Sequence, residues 1–281
     1  MPELPEVETV RRGIAPHVVG KTIVGADVRE SRLRWPVTPG LKQKLRGNKV
    51  MQVDRRGKYL LLHFAKGILL THLGMSGRLC IVPSNTTPVK HDHIDIKFSE
   101  GFMLRFSDPR RFGAMLWVIG DPMQHPLLAS LGPEPLGKMF NSRYLFTVTR
   151  NKKVNIKNLV MDSHVVVGVG NIYANEALFV ANINPLRAAG SLDDEDCQRL
   201  VRAIRQVLRT AIKAGGTTLR DFISATGKPG YFQQQLQVYG REGLPCLRCG
   251  TQLTGVRVGQ RSTVYCPQCQ PTEVIEKTGR G

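Results

Sequence analysis

The chain has 281 residues, 41% of them hydrophobic, which is enough for two domains with real cores and excludes a disordered basic tail. Its 40 Lys and Arg against 22 Asp and Glu leave a formal charge of +18, so a polyanion, nucleic acid first, is the expected partner. No run of about 18 apolar residues occurs and the first residues lack the basic stretch and apolar core of a secretion signal, so no membrane span and a cytoplasmic location are expected.

The opening stretch, MPELPEVETV, predicts a helix: a proline and Glu3, Glu6 and Glu8 suit a first turn, and Val7, Val10 and Ile14 repeat on one face. Residues 21–120 read as many short strands punctuated by Gly, Pro and Asn, the pattern of a two-sheet β-sandwich. Within them, residues 29–49 are rich in Arg and Lys. DRRGKYLLL places Lys58 at the head of an apolar strand, and HDHIDI places His91 and His93 at the head of another. HLGMSG and DPRRFGA are glycine-flanked loops carrying Met75, and Arg110 with Phe112. Each apolar side chain is either core or, beside Arg, a wedge into base stacking. The Pro- and Gly-dense segment DPMQHPLLASLGPEPLG reads as a hinge between domains.

The pattern then turns helical. Residues 141–160 hold five basic side chains, among them Lys152, Lys153 and Lys157, and no acid, which suits phosphate contacts along a duplex. VGVGNIYANE puts Gly168 and Gly170 before a helix, with Asn171 at the expected cap. A long helix follows, with Ser191 as the expected cap, acids in its first turn, a stripe of Leu200, Ile204, Leu208 and Ala211, and Gly215 and Gly216 at its end. After a glycine-flanked loop come Cys246, Cys249, Cys266 and Cys269, as CLRC and CPQC separated by sixteen residues. Two such tight turns can bring four thiolates into a zinc tetrahedron, and the alternative is two disulfides. The insert LTGVRVGQRSTVYC reads as a hairpin turning at Gly259-Gln260, with Arg261 near its tip. Cys80 and Cys197 read as plain reduced thiols.

Taken together and in this order, MPELPEVETVRRG, RRGKYLL, HLGMSG, KHDHID, DPRRFGA, LGPEPL, VGVGNIYANE, GGTTLRDF, GKPGYF, QVYGREG and CLRCG…RSTVYCPQCQ resemble the formamidopyrimidine-DNA glycosylase family along essentially the whole chain. The resemblance implies a two-domain α+β fold: an N-terminal helix and two-sheet β-sandwich (2–120), a hinge (121–136), a helix-two-turn-helix domain (137–235), and a β-hairpin zinc finger (236–270). Residues 271–281 extend past the usual family end and read as a disordered tail. DNA would lie in a basic cleft between the halves. The implied activity is excision of oxidised purines from duplex DNA, followed by strand nicking, by a monomer carrying one structural zinc ion.

The resemblance also assigns roles. Pro2, freed by removal of Met1, would be the amine nucleophile, and Glu3 the proton donor to the sugar. Lys58 would assist β-elimination, and Arg261 the δ-elimination step. Met75, Arg110 and Phe112 would fill the gap left by an extruded base. His91, Lys152 or Lys153, Lys157 and Asn171 would contact the DNA backbone. The loop Thr226–Tyr231 would recognise the lesion. Cys246, Cys249, Cys266 and Cys269 would hold the zinc with no open position for water. Two other readings stand beside this one. The endonuclease VIII family shares Pro2, Glu3 and the finger but typically opens PEGPE, and it acts on oxidised pyrimidines. A non-catalytic zinc protein that senses distorted duplex would leave the Pro2-Glu3 pair unexplained.

Overall fold

The computed structural model describes residues 2–216 and 236–272. The expected lesion loop Thr226–Tyr231 and the tail from residue 273 lie outside them. The described residues divide into two units, residues 2–131 with 209–216 and residues 132–208 with 236–272.

In the first unit, helix α1 (Leu4–Val18) buries Val7, Val10 and Ile14, the stripe its spacing predicts, together with Leu4 and Val18. Eight strands follow: β1 (Ile23–Val28), β2 (Gln52–Arg56), β3 (Tyr59–Phe64), β4 (Gly67–His72), β5 (Arg78–Pro83), β6 (Asp92–Phe98), β7 (Phe102–Ser107) and β8 (Ala114–Val118), with a short helix α2 (Leu41–Leu45) after β1. They pair antiparallel in two four-stranded sheets, β1-β6-β7-β5 and β2-β3-β4-β8. One core joins α1 to both sheets, through Val7, Val10 and Ile14 from the helix, Ile94, Leu104 and Phe106 from one sheet, and Leu60, Leu62 and Met115 from the other. The stretch expected as a hinge is not irregular throughout. Pro126–Ala129 forms a short helix, α3, and its Leu128 is buried against Leu61, Ile68, Leu70 and Val118. Apolar residues at positions 127 and 128 therefore tie this segment to the back of the second sheet.

The second unit is built from α4 (Ser142–Thr149), α5 (Ile156–Met161), α6 (Asn171–Val180), most of α7 (Asp194–Lys213), and a two-stranded hairpin, β9 (Thr254–Val258) and β10 (Arg261–Tyr265). Nearly every side chain of α6 is buried, so this helix is the unit's central strut. Helix α7 does not use Ser191 as its cap. Ser191 closes a short 3-10 turn, and the Asp193 carboxylate accepts from Asp196 N–H at 2.7 Å. The carboxylate suits the helix dipole better than a hydroxyl would. The helix ends where its glycines predict, with Gly216 N–H donating to Ala211 O at 2.8 Å and positive φ at Gly215 and Gly216. No helix among the described residues is long and apolar enough to cross a membrane.

Candidate active site and nucleic-acid interface

Pro2 is buried and lies before the helix; Pro5, not Pro2, occupies the first turn of α1. Glu3 is the N-cap, 2% exposed, and Glu3 and Glu6 form a capping box in which Glu6 Oε2 accepts from Glu3 N–H at 2.9 Å. Glu6 therefore fixes the backbone beside Pro2, which a general helix-end charge would not do. Glu8 has a different task. Its Oε1 accepts from Arg11 Nη2 at 2.8 Å and Arg12 Nε at 2.7 Å, and its Oε2 from Arg55 Nε on β2 at 3.2 Å. Burial raises its carboxyl, but hydrogen bonds from Arg11 and Arg12 and the charges of Arg11 and Arg55 overcome this and hold it at about 2. This carboxylate pins α1, and with it the Pro2-Glu3 head, to the second sheet. Lys58 sits half-buried in the two-residue turn between β2 and β3.

Met75 and Phe112 are exposed, 37% and 39%, so the reading of both as core is excluded. Their loops touch backbone to backbone. A Cβ on Gly74, whose φ is +66°, would lie 2.5 Å from the Phe112 carbonyl carbon. Only glycine allows both that conformation and that approach. The Arg110 guanidinium lies 4.9 Å from the Phe112 ring centroid, as in a cation–π pair. An open hollow of about 590 Å³ beside them is lined by Arg32, Leu33, Arg34, Arg110, Arg111 and Phe112. His72 Nδ1 accepts from Gly74 N–H at 3.1 Å; burial, then the charges of Lys58 and Arg34, push its pKa down to about 4, so the ring is neutral near pH 7. His91 is half-buried, with φ of 76°, and its carbonyl accepts from Asp108 N–H.

In the second unit Lys152 and Lys153 are exposed, and Arg261 is exposed at the first position after the hairpin turn. The turn is the expected Gly259-Gln260, both at positive φ, which sets Arg261 opposite Val258. Lys157 departs from the expectation. It is 0% exposed, and its Nζ donates to Ser262 O at 2.8 Å and Thr263 Oγ1 at 2.6 Å. Its place on the inner face of α5, bonded to the hairpin, was invisible in a run of basic residues. Asn171 is the first residue of α6 and not its cap, which is Gly170; its Nδ2 donates to Ser262 O at 3.0 Å.

The four hairpin cysteines converge, with all Sγ atoms within 4.8 Å of one another. Pairwise Sγ distances are 3.5 Å (Cys249 to Cys266 and to Cys269) and 4.0 Å (Cys246 to Cys269). Tetrahedral zinc with Zn–S of about 2.3 Å requires S···S near 3.8 Å, and a disulfide requires about 2.05 Å, so the four fit one zinc ion and no disulfide. Backbone N–H groups of Arg248 and Cys269 point at Cys246 Sγ and Cys266 Sγ, each at 3.4 Å, which supports thiolate charge.

Two buried acids escaped the sequence reading. Asp108, 0% exposed, accepts from Gly113 N–H at 2.7 Å and Ser76 Oγ at 3.1 Å, joining the Met75 and Phe112 loops. Glu176, 2% exposed, accepts from the N–H groups of Gln237, Val238 and Tyr239 at 2.8–3.0 Å, and so seats the segment entering the cysteine-bearing unit. Burial pushes its carboxyl up, against those three bonds. Both lie inside stretches already singled out, DPRRFGA and VGVGNIYANE, but nothing local marks them as inward-facing.

Three family models match the chain in order: the formamidopyrimidine-DNA glycosylase N-terminal domain over residues 1–115, the formamidopyrimidine-DNA glycosylase H2TH domain over 131–223, and a zinc finger found in FPG and IleRS over 243–272. A formamidopyrimidine-DNA glycosylase of Thioalkalivibrio sulfidiphilus is 58% identical over 270 residues, covering 96% of this chain and all of that one. Among solved structures, a Lactococcus lactis FPG mutant in complex with Fapy-dG-containing DNA superposes with a TM-score of 0.90 at 34% identity, covering 96% of this chain and 100% of that one. MutM (FPG) from Thermus thermophilus gives 0.87 at 39% identity, covering 97% and 100%. With its capped Pro2-Glu3 head, its paired exposed loops and its four-thiolate hairpin, this chain belongs to the formamidopyrimidine-DNA glycosylase family.

Proposed function

We infer that the chain is a base-excision-repair DNA glycosylase with AP lyase activity, removing oxidised purines from duplex DNA. Family membership over the full length supports this, and the observation that carries the catalytic assignment is the Pro2-Glu3 head, buried and held by Glu6. After removal of Met1, the Pro2 secondary amine attacks C1′ of the lesion sugar and expels the base. A free α-amino group titrates near pH 8, so a useful fraction is unprotonated at neutral pH without special tuning. The resulting iminium acidifies the C2′ hydrogen, so the 3′ and then the 5′ phosphate leave by β- and δ-elimination. Glu3 donates a proton to the sugar as its ring opens. Lys58 assists β-elimination and Arg261 the second elimination. The target nucleotide must leave the stack, because C1′ is shielded within it. Met75 and Phe112 take the vacated space and Arg110 faces the orphaned cytosine, in keeping with their exposure.

His91, Lys152, Lys153 and Asn171 are assigned to the DNA backbone, and Lys157 to the support of the hairpin. When bound, zinc holds that hairpin rigid and supplies no reacting water. The domain limits 2–120, 121–136, 137–235 and 236–270, a monomeric state and a cytoplasmic, nucleoid-associated location complete the proposal. The test is strand nicking on matched duplexes. Faster product from 8-oxoguanine opposite cytosine than from an oxidised pyrimidine is expected; the reverse order assigns the endonuclease VIII specificity, and tight binding without nicking refutes an enzyme.

A further inference from the structure

The hairpin that carries Arg261 is gripped along one strand by side chains that reach it from two helices. Lys157 on α5 donates its ammonium to Ser262 O and Thr263 Oγ1, and Asn171 on α6 donates to the same Ser262 carbonyl. Asn175, one turn further along α6, accepts from Val264 N–H at 2.8 Å and itself donates to Asn171 O at 2.6 Å. The turn also packs close to α5: a Cβ on Gly259 would sit 3.1 Å from Asn158 Oδ1, the side chain next to Lys157. Thr263 and Lys157 are each 0% exposed and Asn175 is 1% exposed, so the Lys157–Thr263 and Val264–Asn175 bonds are shielded from water, while the Asn171–Ser262 bond is exposed. Shielding strengthens each bond and makes the loss of either partner costly. Three consecutive residues after Arg261 are thus tied down while the Arg261 side chain is left exposed.

We propose that Lys157 and Asn175 are positioning residues that set the direction of Arg261, so that their removal acts on the second elimination through Arg261. This rests on the reading of Arg261 as the residue of that step. A two-stranded hairpin is marginal on its own and the four cysteines lie at the opposite end from the turn, so without the clamp Arg261 would sample a wide arc. A displacement of about 1 Å at a reacting group is enough to cost about a hundredfold in rate.

The experiment compares wild type, Lys157→Met, Thr263→Val, Asn175→Leu, Arg261→Gln and the double variant Lys157→Met/Arg261→Gln on a duplex with one abasic site. The ratio of δ- to β-elimination product is read, together with zinc content, duplex affinity, and amide hydrogen exchange at Ser262–Val264. Arg261→Gln and Lys157→Met are both expected to lower the ratio about tenfold or more with zinc retained, and the double variant to go no lower than Arg261→Gln alone. Thr263→Val removes the hydroxyl that accepts from Lys157 and donates to Arg261 O at 3.3 Å, and it carries the test if Lys157→Met fails to fold; it is expected to lower the ratio by about threefold. A normal ratio in Lys157→Met, or in Thr263→Val should the first not fold, overturns the proposal while leaving Arg261 its role. Additive losses of affinity in the double variant overturn it too, because Lys157 would then act independently of Arg261. A normal ratio in Arg261→Gln refutes the reading of Arg261 and with it the functional half of the proposal. The clamp itself is then judged by exchange, which is expected to quicken about tenfold in Lys157→Met; unchanged exchange refutes the clamp.

Discussion

Replacing Glu8 with Gln removes one negative charge from among three guanidinium groups. Arg55 has an 11% exposed side chain and Arg11 28%, so two of the three lose the Glu8 carboxylate while partly enclosed. The Glu8 carboxyl lies at about 2 against an ordinary 4.5. That difference corresponds to about 3 kcal/mol of stability at neutral pH, in line with the cost of breaking an enclosed ion cluster from one side. Because the folded value is the lower one, the contribution is complete above pH 4.5 and is lost as pH falls towards 2. At pH 3 it has shrunk to about 1.4 kcal/mol. Urea unfolding of wild type and Glu8→Gln at pH 7 and pH 3, followed by a signal from the first unit, measures both numbers. The expected gap is about 3 kcal/mol at pH 7, equivalent to about 10 °C in Tm, and roughly half that at pH 3. A gap below about 1 kcal/mol at pH 7, or one that does not narrow in acid, would refute the role of this cluster in anchoring α1.

Gly74→Ala would press a methyl into the Phe112 carbonyl carbon at positive φ, so a loss of about 2–3 kcal/mol in a urea melt is expected, with weaker binding to a lesion duplex. Phe112→Ala should separate the two effects. The ring is 39% exposed, so stability should move by less than about 1 kcal/mol while affinity for a lesion duplex, read by fluorescence anisotropy, falls about tenfold. Stripping the metal with a chelator should weaken DNA binding, since the four thiolates close the unit that carries Arg261; unchanged affinity in demonstrably metal-free protein would contradict this.

What could be read from the sequence was whatever a local pattern determines. The cysteine pairs, the Gly259-Gln260 turn and the α1 stripe depend on spacing within a few residues, and each stands where the pattern put it. Helix starts were harder. Ser191 and Asp193 are both good caps two residues apart, and Gly170 and Asn171 are adjacent, so small differences in tertiary fit decided between them. Exposure was harder still. Met75 and Phe112 could be core or wedge until the two loops were set against each other, and Lys157 resembles its exposed neighbours Lys152 and Lys153 in every local respect. Asp108 and Glu176 serve partners 32 and 61 or more residues away along the chain, a relation no window of sequence contains.

The proposed chemistry turns on the Pro2 amine, and borohydride trapping tests it most directly. Protein whose N-terminus has been verified by mass is mixed with a duplex carrying 8-oxoguanine opposite cytosine, reduced, and digested to locate the crosslinked peptide. The adduct is expected on Pro2, and none in a form that retains Met1, where the nitrogen is locked in a peptide bond. A crosslink on another residue, or full trapping by the Met1-retaining form, would contradict it.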